Sequence, residues 1–224
     1  MRKRIGVIAI LATLAAVTPL TAKAQLGPNT AAYTPDTSLA GGVTDVTQLA
    51  VATDTIVTSS FKVNVRQEVW LNSAGYLDFY YQVENVPTAG KTGVIHRITL
   101  ECFRGITIPA AGYVAALAGS GFVAGTETPE NVTRDGGPDG SQTVGFDHFT
   151  GTGIAPGEIS QLLFVQTKAK KFEAGTVGAI NGIPGFSGRF YSPQCVPEPA
   201  MVQLSSLAGL GFLGLLRFRK RNKA

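Results

Sequence analysis

Between residues 60 and 170 the chain alternates apolar and polar side chains with a period of two, the pattern of strands that turn one face to a core and the other to water. Phe61, Val63 and Val65 alternate with Lys62, Asn64 and Arg66, and Leu77, Phe79, Tyr81 and Val83 with Asp78, Tyr80, Gln82 and Glu84. Val94, His96, Ile98, Leu100 and Cys102 share one parity of the next run, against Arg97, Thr99 and Glu101. Val144, Phe146 and His148 repeat the pattern, and residues 159–167 read as a more fully buried strand. Turn-forming clusters rich in Gly, Pro, Asn and Asp separate these runs at 85–90, 135–140 and 155–157. Residues 25–45 have no period and read as an exposed arm or a weak edge strand, while 110–118 fits helix and strand equally. Short alternating strands at fairly regular spacing predict an all-β fold, a single antiparallel β-sandwich over residues 25–195.

Composition agrees with that class. With 27 Gly and 12 Pro among 224 residues the chain suits a turn-rich β protein better than a helical bundle, and 44% hydrophobic residues suffice for one good-sized core. The net charge of +4 suggests nucleic acid until the charges are placed. Arg2, Lys3, Arg4 and Lys23 lie before residue 25, and Arg217, Arg219, Lys220, Arg221 and Lys223 lie at the far end. Between residues 25 and 196 acidic residues outnumber basic ones, so the basic character belongs to the termini and nucleic-acid binding loses its support.

Both termini read as processing signals. Residues 1–24 join a cationic start to an apolar stretch over 5–17 and end in Ala22-Lys23-Ala24, small residues at the positions that a signal peptidase reads. The apolar stretch is shorter than the roughly 20 residues a spanning helix needs, so a cleavable signal peptide is expected, with the cut after Ala24. Gln25 follows where a lipoprotein would carry cysteine. At the other end, Val196-Pro197-Glu198-Pro199 precedes an uncharged stretch over 200–216 and then the basic tail. As a helix that stretch would be about 25 Å long, enough for a single transmembrane span, and the cations after it place the tail in the cytoplasm.

The Val196-Pro197-Glu198-Pro199 motif, the short Gly/Leu-rich stretch and the Arg-rich end, in that order, resemble the PEP-CTERM sorting signal of Gram-negative secreted proteins. The resemblance covers residues 196–224. It implies a membrane-embedded exosortase that recognises the Pro-Glu-Pro region, removes the helix and passes the protein from the inner membrane to the cell surface or exopolysaccharide matrix. Two prolines hold the segment extended, which keeps it accessible at the membrane face. Segments 76–85, 143–147 and 156–160 are more loosely similar to stretches in the ectodomains of other such proteins, which implies a shared β-rich fold and no assigned chemistry. The G-x-G-x-x-G at 209–214 lacks the preceding strand, following helix and downstream acid of a dinucleotide site, so helix packing in the membrane accounts for it better.

Candidate chemistry in the body is sparse. Cys102 and Cys195 are the only cysteines, and export would put them in an oxidising compartment where they are disulfide candidates. Asp135 and Asp139 in a Gly-rich turn, with Asp147, suggest Ca²⁺, but Gly137 and Phe146 break the EF-hand pattern, so a plain loop turn is the stronger expectation. His96 and His148 sit on the apolar parity of their strands and are expected in the core. No H-E-x-x-H, G-x-S-x-G or C-x-x-C occurs, so no catalytic residues are assigned, and a secreted hydrolase ranks last among the readings. Trp70, Tyr76 and Tyr80 are expected to face outward, where aromatic rings beside polar groups would stack a sugar. The expected function is a non-enzymatic surface or matrix protein, with a polysaccharide-binding module as the alternative.

Overall fold

The computed structural model describes residues 26–27, 30–135 and 143–194. The signal-peptide, sorting-motif and transmembrane expectations therefore lie outside the described residues, as do Cys195 and Asp139. Among the described residues no helix is long and apolar enough to cross a membrane, and the only helical element is a 3-10 turn over Ala40–Gly42.

Among the described residues eleven strands form two antiparallel sheets, which bears out the all-β class. In chain order they are β1 (Thr30–Tyr33), β2 (Asp45–Val57), β3 (Lys62–Asn72), β4 (Leu77–Asn85), β5 (Arg97–Leu100), β6 (Ala110–Val114), β7 (Pro129–Arg134), β8 (Val144–Phe149), β9 (Leu162–Gln166), β10 (Phe172–Ile180) and β11 (Pro184–Pro193). One sheet runs β1-β7-β8-β5-β10-β11 and the other β2-β3-β4-β9-β6. The ambiguous stretch at 110–118 resolves as the strand β6, and the N-terminal arm supplies β1, an edge strand on β7.

The apolar parity of each run builds one buried cluster drawn from both sheets. Val63, Val65, Phe79, Tyr81, Val83, Leu163 and Val165 come from one, and Ile98, Leu100, Val132, Val144, Phe146 and Val177 from the other. Each such side chain contributes about 1.5 to 3 kcal/mol by leaving water. Local signals set the turns: Asn72 Oδ1 accepts from the Ala74 and Tyr76 amides, each at 3.1 Å, and closes the β3–β4 hairpin. Asn181-Gly182, with Gly182 at φ 84°, closes the β10–β11 hairpin.

The polar parity does something the alternation does not predict. In β3, Gln67 lies on the core side, and its amide takes both hydrogen-bonding groups of Tyr191: Nε2 donates to the Tyr191 carbonyl at 2.6 Å and Oε1 accepts from its amide at 2.7 Å. This side chain ties the β2–β6 sheet to β11, the last strand of the other sheet. Arg134, 2% exposed, donates to the carbonyls of Leu26, Phe103 and Ile106 at 2.9, 2.9 and 2.6 Å. Burial pushes its guanidinium down to about 10, still protonated at neutral pH.

Candidate functional site

The outer face of the β2–β6 sheet was expected to present Trp70 and Tyr80 to solvent, and the structure corrects this. Trp70 is 6% exposed and Tyr80 1%, and they pack with Ala110, Leu162 and Phe164 in a second apolar cluster. Two loops cover the face, one around residues 36–42 and one following β6, and they bring Leu39, Ala40, Leu117 and Phe122 onto that cluster. The polar residues of the same parity hold these loops down. Gln166 accepts from the Ala40 amide at 2.7 Å and donates to its carbonyl at 3.2 Å. Gln82 does the same with Val123, at 3.0 and 2.7 Å. Glu68, fully buried, accepts from the Gly121 amide at 2.9 Å, the Trp70 indole at 3.0 Å and the Arg66 guanidinium at 2.7 Å. The approach is close: a Cβ at Gly125 would collide with the Ser160 carbonyl. Tyr76 is half-buried, with the Lys170 ammonium 5.8 Å from its ring centroid.

What this face does leave open is a groove of about 460 Å³ across β2, β3 and β4, lined by Thr53, Thr55, Asn64, Arg66, Gln82 and Glu84. Directly paired positions make a polar row there: Thr55 Oγ1 donates to Asn64 Oδ1 at 2.9 Å, and Asn64 Nδ2 to Glu84 Oε2 at 3.0 Å. Arg66 spans from Glu68 to the Phe122 ring, 5.6 Å from its centroid. Amides, hydroxyls, a carboxylate and a guanidinium beside one aromatic ring are groups that can hydrogen-bond a polyhydroxylated ligand. Sequence reasoning missed the groove because its members are ordinary solvent-parity residues on three strands.

Beneath the first loop lies a buried acid pair. Asp78 accepts from Asn72 Nδ2 through both oxygens at 3.1 Å and from the Thr167 amide at 3.4 Å. Burial, opposed by Asn72 and assisted by the neighbouring Asp45 charge, pushes Asp78 up to about 7. Asp45 accepts from the Tyr80 hydroxyl at 2.6 Å through Oδ2, while its Oδ1 is buried without a donor. Burial raises Asp45 as well, and a protonated Asp78 is the hydrogen-bonding neighbour that satisfies it.

On the outer face of the other sheet, the two described members of the proposed calcium set already share a cation. Arg97 Nη1 stands 3.2 Å from Asp147 and Nη2 3.4 Å from Asp135. Asp147 also accepts from Thr133 at 3.1 Å, and burial raises its carboxyl against the opposing pull of Arg97. Among the described residues no group of three or more His, Cys, Asp and Glu could hold a metal ion. The histidines need correcting too, since both are exposed. Ile95 takes the inward place that parity gives to His96, and His148 adopts φ 51°. With Arg97, Glu130, Asp147, Phe149 and Thr152 they line a hollow of about 330 Å³.

Cys102 lies two residues past the end of β5, half-buried and at φ 67°, so it does not continue the apolar face of the strand. Gln194, the residue before Cys195, lines a hollow with Gly105, Ile106 and Thr107, close in sequence to Cys102. No family model matches the chain, and no curated protein and no solved structure matches it either.

Proposed function

We propose that the chain is an exported protein, sorted and cut at its C-terminal signal, whose body is a β-sandwich serving a non-enzymatic structural role at the cell surface or in the extracellular matrix. One observation carries this reading: Val196-Pro197-Glu198-Pro199, an uncharged stretch over 200–216 and a basic end stand in the order that a PEP-CTERM signal requires. The fold is compatible with it, because β11 ends at Pro193 and a cut near 196–199 leaves every described strand in the released part. In this reading signal peptidase acts after Ala24, the span holds an inner-membrane intermediate, and exosortase releases the body.

Intact-mass spectrometry of membrane and extracellular fractions from the native host tests the proposal. The extracellular species should start at Gln25 and end near Val196, and reduction should add two hydrogen atoms if Cys102 and Cys195 are joined. A species running from Gln25 to Ala224 and confined to the membrane would overturn the sorting model and the matrix role with it.

A second reading is favoured by the groove. We infer that any polysaccharide contact uses Asn64, Arg66 and Glu84 in place of the buried Trp70 and Tyr80. In affinity electrophoresis through matrix polysaccharide, Asn64→Ala and Glu84→Gln should abolish retardation at unchanged melting temperature. Trp70→Ala should instead cost about 3 to 5 kcal/mol of stability. Retardation that survives both groove variants would rule the groove out.

A further inference from the structure

The chain has two histidines, and the fold brings them to one place. β5 and β8 pair Arg97 with Asp147, so His96 and His148 follow as the next opposed positions, and the His148 amide donates to the His96 carbonyl at 3.2 Å. Both are exposed and line the same hollow. Neither gets there by ordinary strand geometry. His148 adopts a left-handed backbone, which costs a non-glycine residue roughly 1 to 2 kcal/mol and is a common mark of functional positions. Facing His96, Gly153 sits at φ 117°, and a Cβ there would stand 3.1 Å from His96 Nδ1 and 2.6 Å from the Ile95 carbonyl. Two separate departures from local preference therefore meet at one hollow, and in both cases they leave room for, or release, an imidazole.

We propose that His96 and His148 form a two-imidazole chelate for a borderline divalent transition cation such as Cu²⁺ or Ni²⁺. The bond from the His148 amide to the His96 carbonyl keeps the two backbones adjacent, and both imidazoles line one hollow, from which they can converge on an ion with metal–nitrogen bonds of roughly 2 Å. Glu130, Asp147 and Arg97 line the same hollow, and with Asp147 paired to Arg97 it is Glu130 that leaves an uncompensated negative charge beside the imidazoles. The described residues offer no third close ligand, so water completes the shell and leaves positions open to a donor from another molecule. Imidazole ligands select copper, nickel and zinc over calcium and magnesium, and the affinity order places copper above nickel.

The test uses tag-free mature protein, whose only imidazoles are these two. Calorimetric titration with Cu²⁺ and Ni²⁺ should give one site, with copper the tighter ion and Ca²⁺ giving no heat. His96→Gln and His148→Gln should each weaken binding at least about tenfold. Copper electron paramagnetic resonance should show two imidazole nitrogens in the native protein and one in each variant. Both residues are exposed, so unchanged melting temperatures will show that the variants are folded. No binding at about 100 μM metal, affinity unchanged in either variant, or the same nitrogen pattern throughout would overturn the proposal.

Discussion

Replacing Arg134 with methionine should lower the unfolding free energy by about 3 to 5 kcal/mol, the range expected when one side of a buried, charge-assisted network is removed. Methionine fills much of the volume but has no donor for the carbonyls of Leu26, Phe103 and Ile106. Those carbonyls belong to Leu26, which precedes the paired strand β1, and to the segment after β5, so strand pairing with β7 holds neither of them. Hydrogen exchange should therefore accelerate first around Leu26 and residues 103–106, before the central strands. Arg134→Lys can restore a charge but not the fork that reaches three carbonyls, so it should recover less than half of the loss. An unfolding free energy from urea titration within about 1 kcal/mol of the parent for Arg134→Met would show that the network is not limiting.

The second large effect is a stability that falls as pH rises. Asp78 is held up to about 7, against an ordinary carboxyl near 3.9 in the unfolded chain. Between those values the unfolded chain has released its proton and the folded one has kept it, so each unit of pH gained there costs up to about 1.4 kcal/mol. Asp45 and Asp147, also raised chiefly by burial, act in the same direction. Asp54, lowered mainly by its hydrogen bond from Ser187, opposes them from a half-buried position. The protein should be more stable at pH 5 than at pH 8 by a few kcal/mol in denaturant titrations. Asp78→Asn keeps an acceptor for Asn72 and offers a permanent donor to Asp45. It should flatten the profile and exceed the parent in stability at pH 8. A parent profile that is flat or rises from pH 5 to 8 would refute the shared-proton description.

The core was legible in the sequence because one parity of each run is largely apolar. Val63 and Val65, Phe79 and Tyr81, and Val144 and Phe146 all point where the alternation says. The opposite parity was misread for a physical reason. Asp78 and Gln82 look like water-facing residues, yet Asp78 is held by the Asn72 side chain and Gln82 by the Val123 backbone, and a segment such as residues 115–127 has no period to show that it will lie over a sheet. The histidines failed differently, since a parity argument assumes unbroken strands. The turn at His148 and the shift at Ile95 break both runs. β10 and β11 carried a usable signal in Asn181-Gly182, set between Ile180 and Ile183. The groove carried none, because pairing β2 with β3 and β3 with β4 is what assembles it.

β11 has a mechanical consequence. It is the last described strand before residues 196–199, and along most of its length it is laddered to β10 while Gln67 grips Tyr191 from the other sheet. A pull from Gln194 along the strand axis loads these bonds together, as shear, so they do not open one after another as in a zipper. Traction applied through the tail would thus be shared between both sheets at once, a useful property if, as proposed, this part is tethered before it is released.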